Sequence, residues 1–211
     1  MKYTGRVTLL LLSLTASIIE FLLGIDIERF EVYFDISAAA LAWYVGGLYD
    51  KLKFLSFKDY LTKINNRRYA DQVIPKLLYK GKLIKKPITL FSLDMNNFKS
   101  INDNYGHGTG DNAIKKISEL LVNNIRKNDL VFRWGGDEFL IVTPNIGKEG
   151  AENLVHRINH AVDNEMKKFN NANINLGISI GFAVFPEDGK TFDQLLTIAD
   201  KKMYKVKVSN K

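Results

Sequence analysis

Leu130-Val131-Phe132-Arg133-Trp134-Gly135-Gly136-Asp137-Glu138-Phe139-Leu140-Ile141-Val142-Thr143 reads as two short apolar runs across a Gly-rich four-residue turn. Such a pair predicts a β-hairpin, and therefore a sheet that is at least partly antiparallel. The turn carries two carboxylates, Asp137 and Glu138. A third, Asp94, ends the apolar run Ile88–Met95, which is hydrophobic enough to be a central strand. Carboxylates at strand ends, brought to one sheet edge, make an oxygen-rich site suited to Mg²⁺, which takes few protein ligands and shares the rest with phosphate and water. A turn with positive φ needs one glycine. The second lets the backbone approach a bulky ligand closely.

Around the hairpin the pattern is that of a mixed α/β domain. Arg67 to Leu78 has helical apolar spacing, interrupted by Pro75. Ile114, Ile117, Leu121 and Ile125 mark a helix over Asp111–Ile125. Ala151, Leu154, Val155, Ile158, Val162 and Phe169 mark a longer one. Ile174, Leu176, Ile178, Ile180, Phe182 and Val184 alternate as a half-buried strand. Thr191 and Gln194 form a capping box for a last helix that buries Leu195, Leu196, Ala199, Met203 and Val206 and leaves Lys201, Lys205 and Lys207 largely outside. Between Asp94 and Asp111, Phe98 and Ile101 alternate with Asn97, Lys99, Asn102 and Asp103 before Gly106, Gly108 and Gly110. An Asn and an Asp in one pocket can read guanine: the amide donates to O6 and the carboxylate accepts from N1–H and the 2-amino group. The loop is no P-loop, since it lacks the glycine spacing and the following Lys-Ser or Lys-Thr.

The chain has no cysteine, which excludes disulfides, Cys metal sites and thiol nucleophiles; His107, His156 and His160 have no zinc-like spacing. The net charge is +7. Residues 1–58 hold six Lys/Arg and six Asp/Glu, so the whole excess falls in 59–211. A basic domain suits an anionic partner: nucleotide, nucleic acid or acidic lipid. No aromatic-basic interleaving on a sheet face supports nucleic acid, and none is expected as a partner.

Residues 1–49 read as a membrane anchor of two transmembrane helices, about 7–25 and 33–49, followed by a linker over 50–58 and a catalytic domain over 59–211. Lys2 and Arg6 precede the first run. Lys51, Lys53 and Lys58 follow the second, so both termini are expected in the cytoplasm, at the inner membrane. Glu20, costly at membrane depth, is expected to pair within a helix bundle.

Six ordered blocks resemble the GGDEF family of diguanylate cyclases. Arg133 to Phe139 carries the signature intact and in its hairpin. Asp59 to Arg68 resembles the opening D-x-L-T-x-L-x-N-R-R. Asp94–Asp103 and Gly106–Asp111 resemble D-x-D-x-F-K-x-x-N-D and G-H-x-x-G-D. Ser179-Ile180-Gly181 and Ala199–Lys207 match the closing blocks. The resemblance implies an α+β fold like nucleotidyl cyclases and polymerase palms, with a mostly antiparallel sheet flanked by helices. It implies condensation of two GTP into cyclic di-GMP and two pyrophosphates across a homodimer, with two Mg²⁺ per site (Mn²⁺ as substitute). Asp94, Asp137 and Glu138 would be catalytic and hold metal, with the Met95 carbonyl as a further ligand. Asn102 and Asp111 would read guanine. Gly135, Gly136 and His107 would lie against the nucleotide; Phe98, Lys99, Lys207 and Lys211 would surround its phosphates. Arg126-Lys127-Asn128-Asp129 is similar to the family's R-x-x-D inhibitory product site, with Arg157 contributing from the next helix.

Two departures stand out. Asn96 replaces the second acid of D-x-D, a position expected to point away from the metals. Asn210-Lys211 replaces the usual Gly-Arg, which substitutes a point charge for a bidentate fork. The competing reading is a catalytically silent domain that binds cyclic di-GMP at Arg126–Asp129.

Overall fold

A computed structural model describes residues 4–22, 29–168 and 177–209. The chain divides into two compact units, residues 1–57 and 58–211.

The first unit is two helices, α1 (Thr4–Leu22) and α2 (Arg29–Leu55), packed on each other. They meet through small residues: a Cβ on Gly46 would lie 2.8 Å from Arg6 Cα, and one on Gly5 would lie 2.8 Å from Tyr49 Cδ1. Asp50 caps α1, accepting from the Gly5 amide at 2.8 Å and the Arg6 amide at 3.2 Å. These are donors that a helix N-terminus leaves unsatisfied. The expected pair of transmembrane spans finds no support here: among the described residues no helix is long and apolar enough to cross a membrane. The helices form near the expected places but with other bounds. α2 takes in Arg29 and Asp35 and runs on through Asp50, Lys51 and Lys53, where a linker was expected, because nothing up to Leu55 breaks it. The side chain of Glu20 lies outside the described residues.

The second unit is built on a five-stranded mixed sheet in the order β1-β3-β4-β2-β5. The strands are β1 (Asn65–Asn66), β2 (Ile88–Asn96), β3 (Leu130–Arg133), β4 (Glu138–Pro144) and β5 (Gly177–Phe185). All neighbours are antiparallel except β1 with β3. The helices are α3 (Arg67–Ile84), α4 (Phe98–Tyr105), α5 (His107–Asn123), α6 (Lys148–Lys168) and α7 (Phe192–Ser209). β2 is buried along all but its last residue, as a central strand with both faces covered must be. Its side chains alternate between two cores. Phe91, Leu93 and Met95 pack with Ile114, Ile117 and Leu121 of α5 and Leu154, Ile158 and Val162 of α6. Ile88 and Leu90 pack with Ala70, Ile74 and Leu78 of α3 and Leu195 and Ala199 of α7.

Gly181 of β5 lets α7 press onto the sheet: a Cβ there would overlap Met203 N and Ala199 O and stand 2.8 Å from Lys202 C. α3 continues through the exposed Pro75, held by its buried stripe. The Thr191 hydroxyl accepts from the Gln194 amide at 3.3 Å, and Gln194 Oε1 accepts from Lys190 N at 2.8 Å, so the expected capping box forms one residue wider. Val206 was expected in the core but is exposed, and Leu196 is half-buried. Phe169, Ile174 and Leu176 lie outside the described residues.

Candidate active site

The hairpin β3–β4 forms as read, with Arg133 opposite Phe139. On its other edge β4 pairs with β2 in a register that sets Asp94 directly opposite Glu138. The Met95 amide donates to the Asp137 carbonyl at 3.1 Å, which ties the turn to the end of β2. Three carboxylates from two segments thus share one sheet edge.

Their electrostatics are those of crowded like charges. Burial pushes the Asp137 carboxyl up from its ordinary value, and the charge of Asp94 adds to this. Glu138 stands at the rim. Partial desolvation raises it first, then the charges of Asp94, Asp137 and Asp200. The cation facing all three is Lys207, near the end of α7, whose Nζ lies 2.5 Å from Asp94 Oδ1. The sequence pattern placed Lys207 outside; the close packing at Gly181 brings α7 in, and Lys207 is only part-exposed.

Among the described residues no group of three acidic or imidazole side chains forms a ready metal cage. The donor set nevertheless fits a hard ion with few protein ligands: carboxylates on a rigid edge, each costly to hold charged without a cation.

A cavity of about 500 Å³ opens beside these groups, lined by Met95, Phe98, Lys99, Asp137 and Lys207. Asn97, Ser100, Asp103 and Asn104 line it too and were missed as site residues, although the first three lie in the Asp94–Asp103 block and Asn104 directly follows it. Asn102, His107 and Asp111 are not in this lining; they sit on α4 and α5. Asn102 Oδ1 is buried with no hydrogen-bond partner among the described residues. It fits against Gly110, where a Cβ would overlap it, so the glycine keeps room for the amide. A buried acceptor left orphaned costs about 1–3 kcal/mol, which a ligand donor would recover.

Neither hairpin glycine has positive φ; among the described glycines only Gly106 does, at 81°. Gly135 instead makes room for Glu138, whose Oε2 would be 3.0 Å from a Cβ there. The Gly136 carbonyl accepts from Arg133 Nε at 3.1 Å and Nη2 at 2.9 Å. Arg133 also binds Asp59 from Nη1, at 3.0 and 3.2 Å. Asp59 accepts from the Thr62 amide at 2.9 Å and its hydroxyl at 2.7 Å. Burial alone would raise the Asp59 carboxyl, but these bonds outweigh it and hold the group below its ordinary value. The Asp59–Arg133–Gly136 strut orients the turn. The sequence contained both residues within matched blocks but gave no sign that they touch.

Asn96 Oδ1 accepts from the Ser179 hydroxyl at 2.7 Å, so its amide is engaged with β5. Asn210 and Lys211 lie outside the described residues.

Arg126, Asp129 and Arg157 come together at the end of α5. The Asp129 carboxylate accepts from the Arg126 amide at 2.9 Å and closes its own turn. Burial raises its pKa, against the pull of both arginines. Arg157 forks onto the Asn124 carbonyl, from Nε at 3.1 Å and Nη2 at 2.9 Å, where a cation complements the helix dipole.

A mixed sheet with acids at one strand edge, a facing lysine and a buried unpaired amide defines an α/β domain with an acidic, lysine-faced site. The particular family follows from comparison. Residues 56–211 match the family described as "Diguanylate cyclase, GGDEF domain", and the chain belongs to it. It is 35% identical over 147 residues to diguanylate cyclase DosC of Escherichia coli, covering 69% of this chain and 32% of that protein. The chain therefore spans about a third of that relative's length. The GGDEF domain of DgcB from Caulobacter crescentus, solved in complex with c-di-GMP, superposes with a TM-score of 0.66 at 25% identity, covering 74% of this chain and 92% of that one. A form of Pseudomonas aeruginosa PA1120 comprising only the GGDEF domain superposes with a TM-score of 0.65 at 27% identity, covering 72% and 89%.

Proposed function

We propose that this protein is an active diguanylate cyclase that condenses two GTP into cyclic di-GMP and two pyrophosphates. The observation that carries the reading is the register that sets Asp94 opposite Glu138 with Asp137 beside them. Asp94, Asp137 and the Met95 carbonyl would hold Mg²⁺, with Glu138 assisting. Two ions would neutralise charge on the attacking and leaving oxygens. Asn102 and Asp111 read guanine. Phe98, Lys99 and Lys207 sit around the phosphates, and Lys207 exchanges its Asp94 partner for a phosphate oxygen when nucleotide binds. Two protomers face each other. The 3′-oxygen of each GTP forms a bond to the partner's α-phosphorus as the bond to pyrophosphate breaks and the hydroxyl proton leaves. The Arg126–Asp129 turn with Arg157 binds product and inhibits. Its support is that these three residues already lie together.

The proposed location is the inner membrane, with the domain in the cytoplasm. Its support is the sequence of residues 1–49 and the exposure of Leu11, Leu12, Ile18, Ile19 and Leu22 on α1. The proposal is of attachment through these helices and not of a defined span.

The test is GTP turnover with Mg²⁺ by the full chain, compared with Asp137→Ala, with cyclic di-GMP read by chromatography. Product from the parent alone supports the cyclase. No product from either at high protein concentration, with cyclic di-GMP still bound, would replace it with the silent-receptor reading.

A further inference from the structure

The second unit's excess positive charge is concentrated on one helix and its exit. From Arg67 to Lys86 the chain holds Arg67, Arg68, Lys76, Lys80, Lys82, Lys85 and Lys86 against a single acid, Asp71. The inner stripe of α3, Ala70, Ile74, Leu78 and Gly81, faces the core, so Lys76, Lys80, Lys82, Lys85 and Lys86 are all exposed. None of these five lysines forms an ion pair among the described residues.

Large apolar side chains stand among them. Tyr79 is 66% exposed, Leu83 65% and Ile84 52%, far from what packing within the domain would leave. Tyr79 and Leu83 are one helical turn apart and share the outer face with Lys76. A basic helix whose exposed side also carries an aromatic and two aliphatic residues has the composition of a membrane-surface element: lysines for anionic headgroups, apolar side chains for the acyl boundary. Aliphatic Leu83 and Ile84 have no use on a phosphate backbone, which favours lipid over nucleic acid.

The patch lies at the end of the sheet remote from the chemistry. Lys85 and Lys86 lead directly into β2 at Ile88. Asp94 is six residues further along that strand, a rise of roughly 20 Å. A surface bound at the α3 exit would leave the acidic edge and its cavity open to nucleotide.

We propose that the exposed face of α3, from Lys76 to Lys86, docks the catalytic domain onto an anionic lipid surface. The contact is independent of the N-terminal helices and belongs to the domain itself. Each lysine near such a surface contributes about fivefold in affinity, so three reversed charges should cost at least about a hundredfold.

The experiment uses residues 58–211, which enclose both cores, as in the solved relative that comprises this domain alone. The domain is sedimented with vesicles of phosphatidylcholine or of an equimolar phosphatidylcholine–phosphatidylglycerol mixture. Binding to the mixed vesicles only, abolished in Lys76→Glu/Lys80→Glu/Lys85→Glu and weakened in Tyr79→Ser/Leu83→Ser, is the expected result. Unchanged thermal melting of both variants shows that they fold. Because α3 lies outside the catalytic groups, failure here leaves the cyclase reading untouched. No sedimentation at low salt, or sedimentation unaltered by charge reversal, overturns the proposal. So does displacement from the vesicles by duplex DNA at equal charge concentration, which would assign the patch to nucleic acid.

Discussion

Gly181→Ala and Gly108→Ala are the same chemical change in one domain, and the structure gives them opposite signs. At Gly181 the new methyl would overlap Met203 N and Ala199 O and stand 2.8 Å from Lys202 C, where ordinary contact begins at 3.4 Å, a deficit of 0.6 Å. All three atoms are backbone of α7, so no side chain can turn aside. The helix must lift from β5, loosening Leu195, Ala199 and Met203 from their core. Overpacking costs about 1–3 kcal/mol, and a rigid partner puts this case near about 3. For a domain of this size that lowers Tm by roughly 6–12 °C. The lift also carries Lys207 away from Asp94, so turnover should fall with stability. At Gly108, within α5, a Cβ meets nothing within 4 Å. Alanine there removes backbone freedom from the unfolded chain and should stabilise by about 0.5–1 kcal/mol. Thermal melts of residues 58–211 followed by circular dichroism decide it. A Gly181→Ala variant melting within a degree or two of the parent would refute the argument that close approach of α7 to β5 requires this glycine.

Three further outcomes follow from the site. Asp137→Asn should abolish cyclic di-GMP production yet raise the melting temperature of the metal-free domain at neutral pH, because it removes a charge that burial and Asp94 oppose; a lower melting temperature would contradict the crowding. Asn102→Ala should raise KM for GTP by roughly 5- to 150-fold, the equivalent of about 1–3 kcal/mol, without lowering stability, since the lost oxygen had no partner and its burial was a cost; steady-state kinetics beside a melt separates the two. Asp59 has its folded-state pKa below its unfolded value, so its contribution is present above the unfolded value and is lost as pH falls through the lower, folded one. Asp59→Asn should therefore flatten the acid side of the stability–pH curve and slow turnover by loosening Arg133 from Gly136. A variant that titrates like the parent would remove the strut.

Much of this was present in the order of residues. Period-two alternation marked β5, helical spacing marked α5 and α6, and Gly135–Gly136 between two apolar runs marked the hairpin, because these signals are local and depend on a few neighbouring side chains. The family resemblance pointed to Asp94, Asp137, Asn102 and Arg126 from their motifs alone. The two-residue β1 carried no such signal, since its existence depends on pairing Asn65 with Phe132 and Asn66 with Arg133 of β3, far along the chain. The first 49 residues were legible only in part. Apolar content suggested two spans, for which the described helices give no support, and α2 continues through charged positions that hydropathy had assigned to a linker.

What the sequence determined alone was the identity of the parts: which strands are apolar on both faces, where the carboxylates fall, and that no thiol takes part. What tertiary structure decided was which parts meet. The register of β2 against β4 sets Asp94 opposite Glu138, the glycine at 181 draws α7 down so that Lys207 reaches the acids, and Asp59 crosses to Arg133. Each is a contact between segments distant in the chain, fixed by packing of whole elements, so no local pattern encodes it.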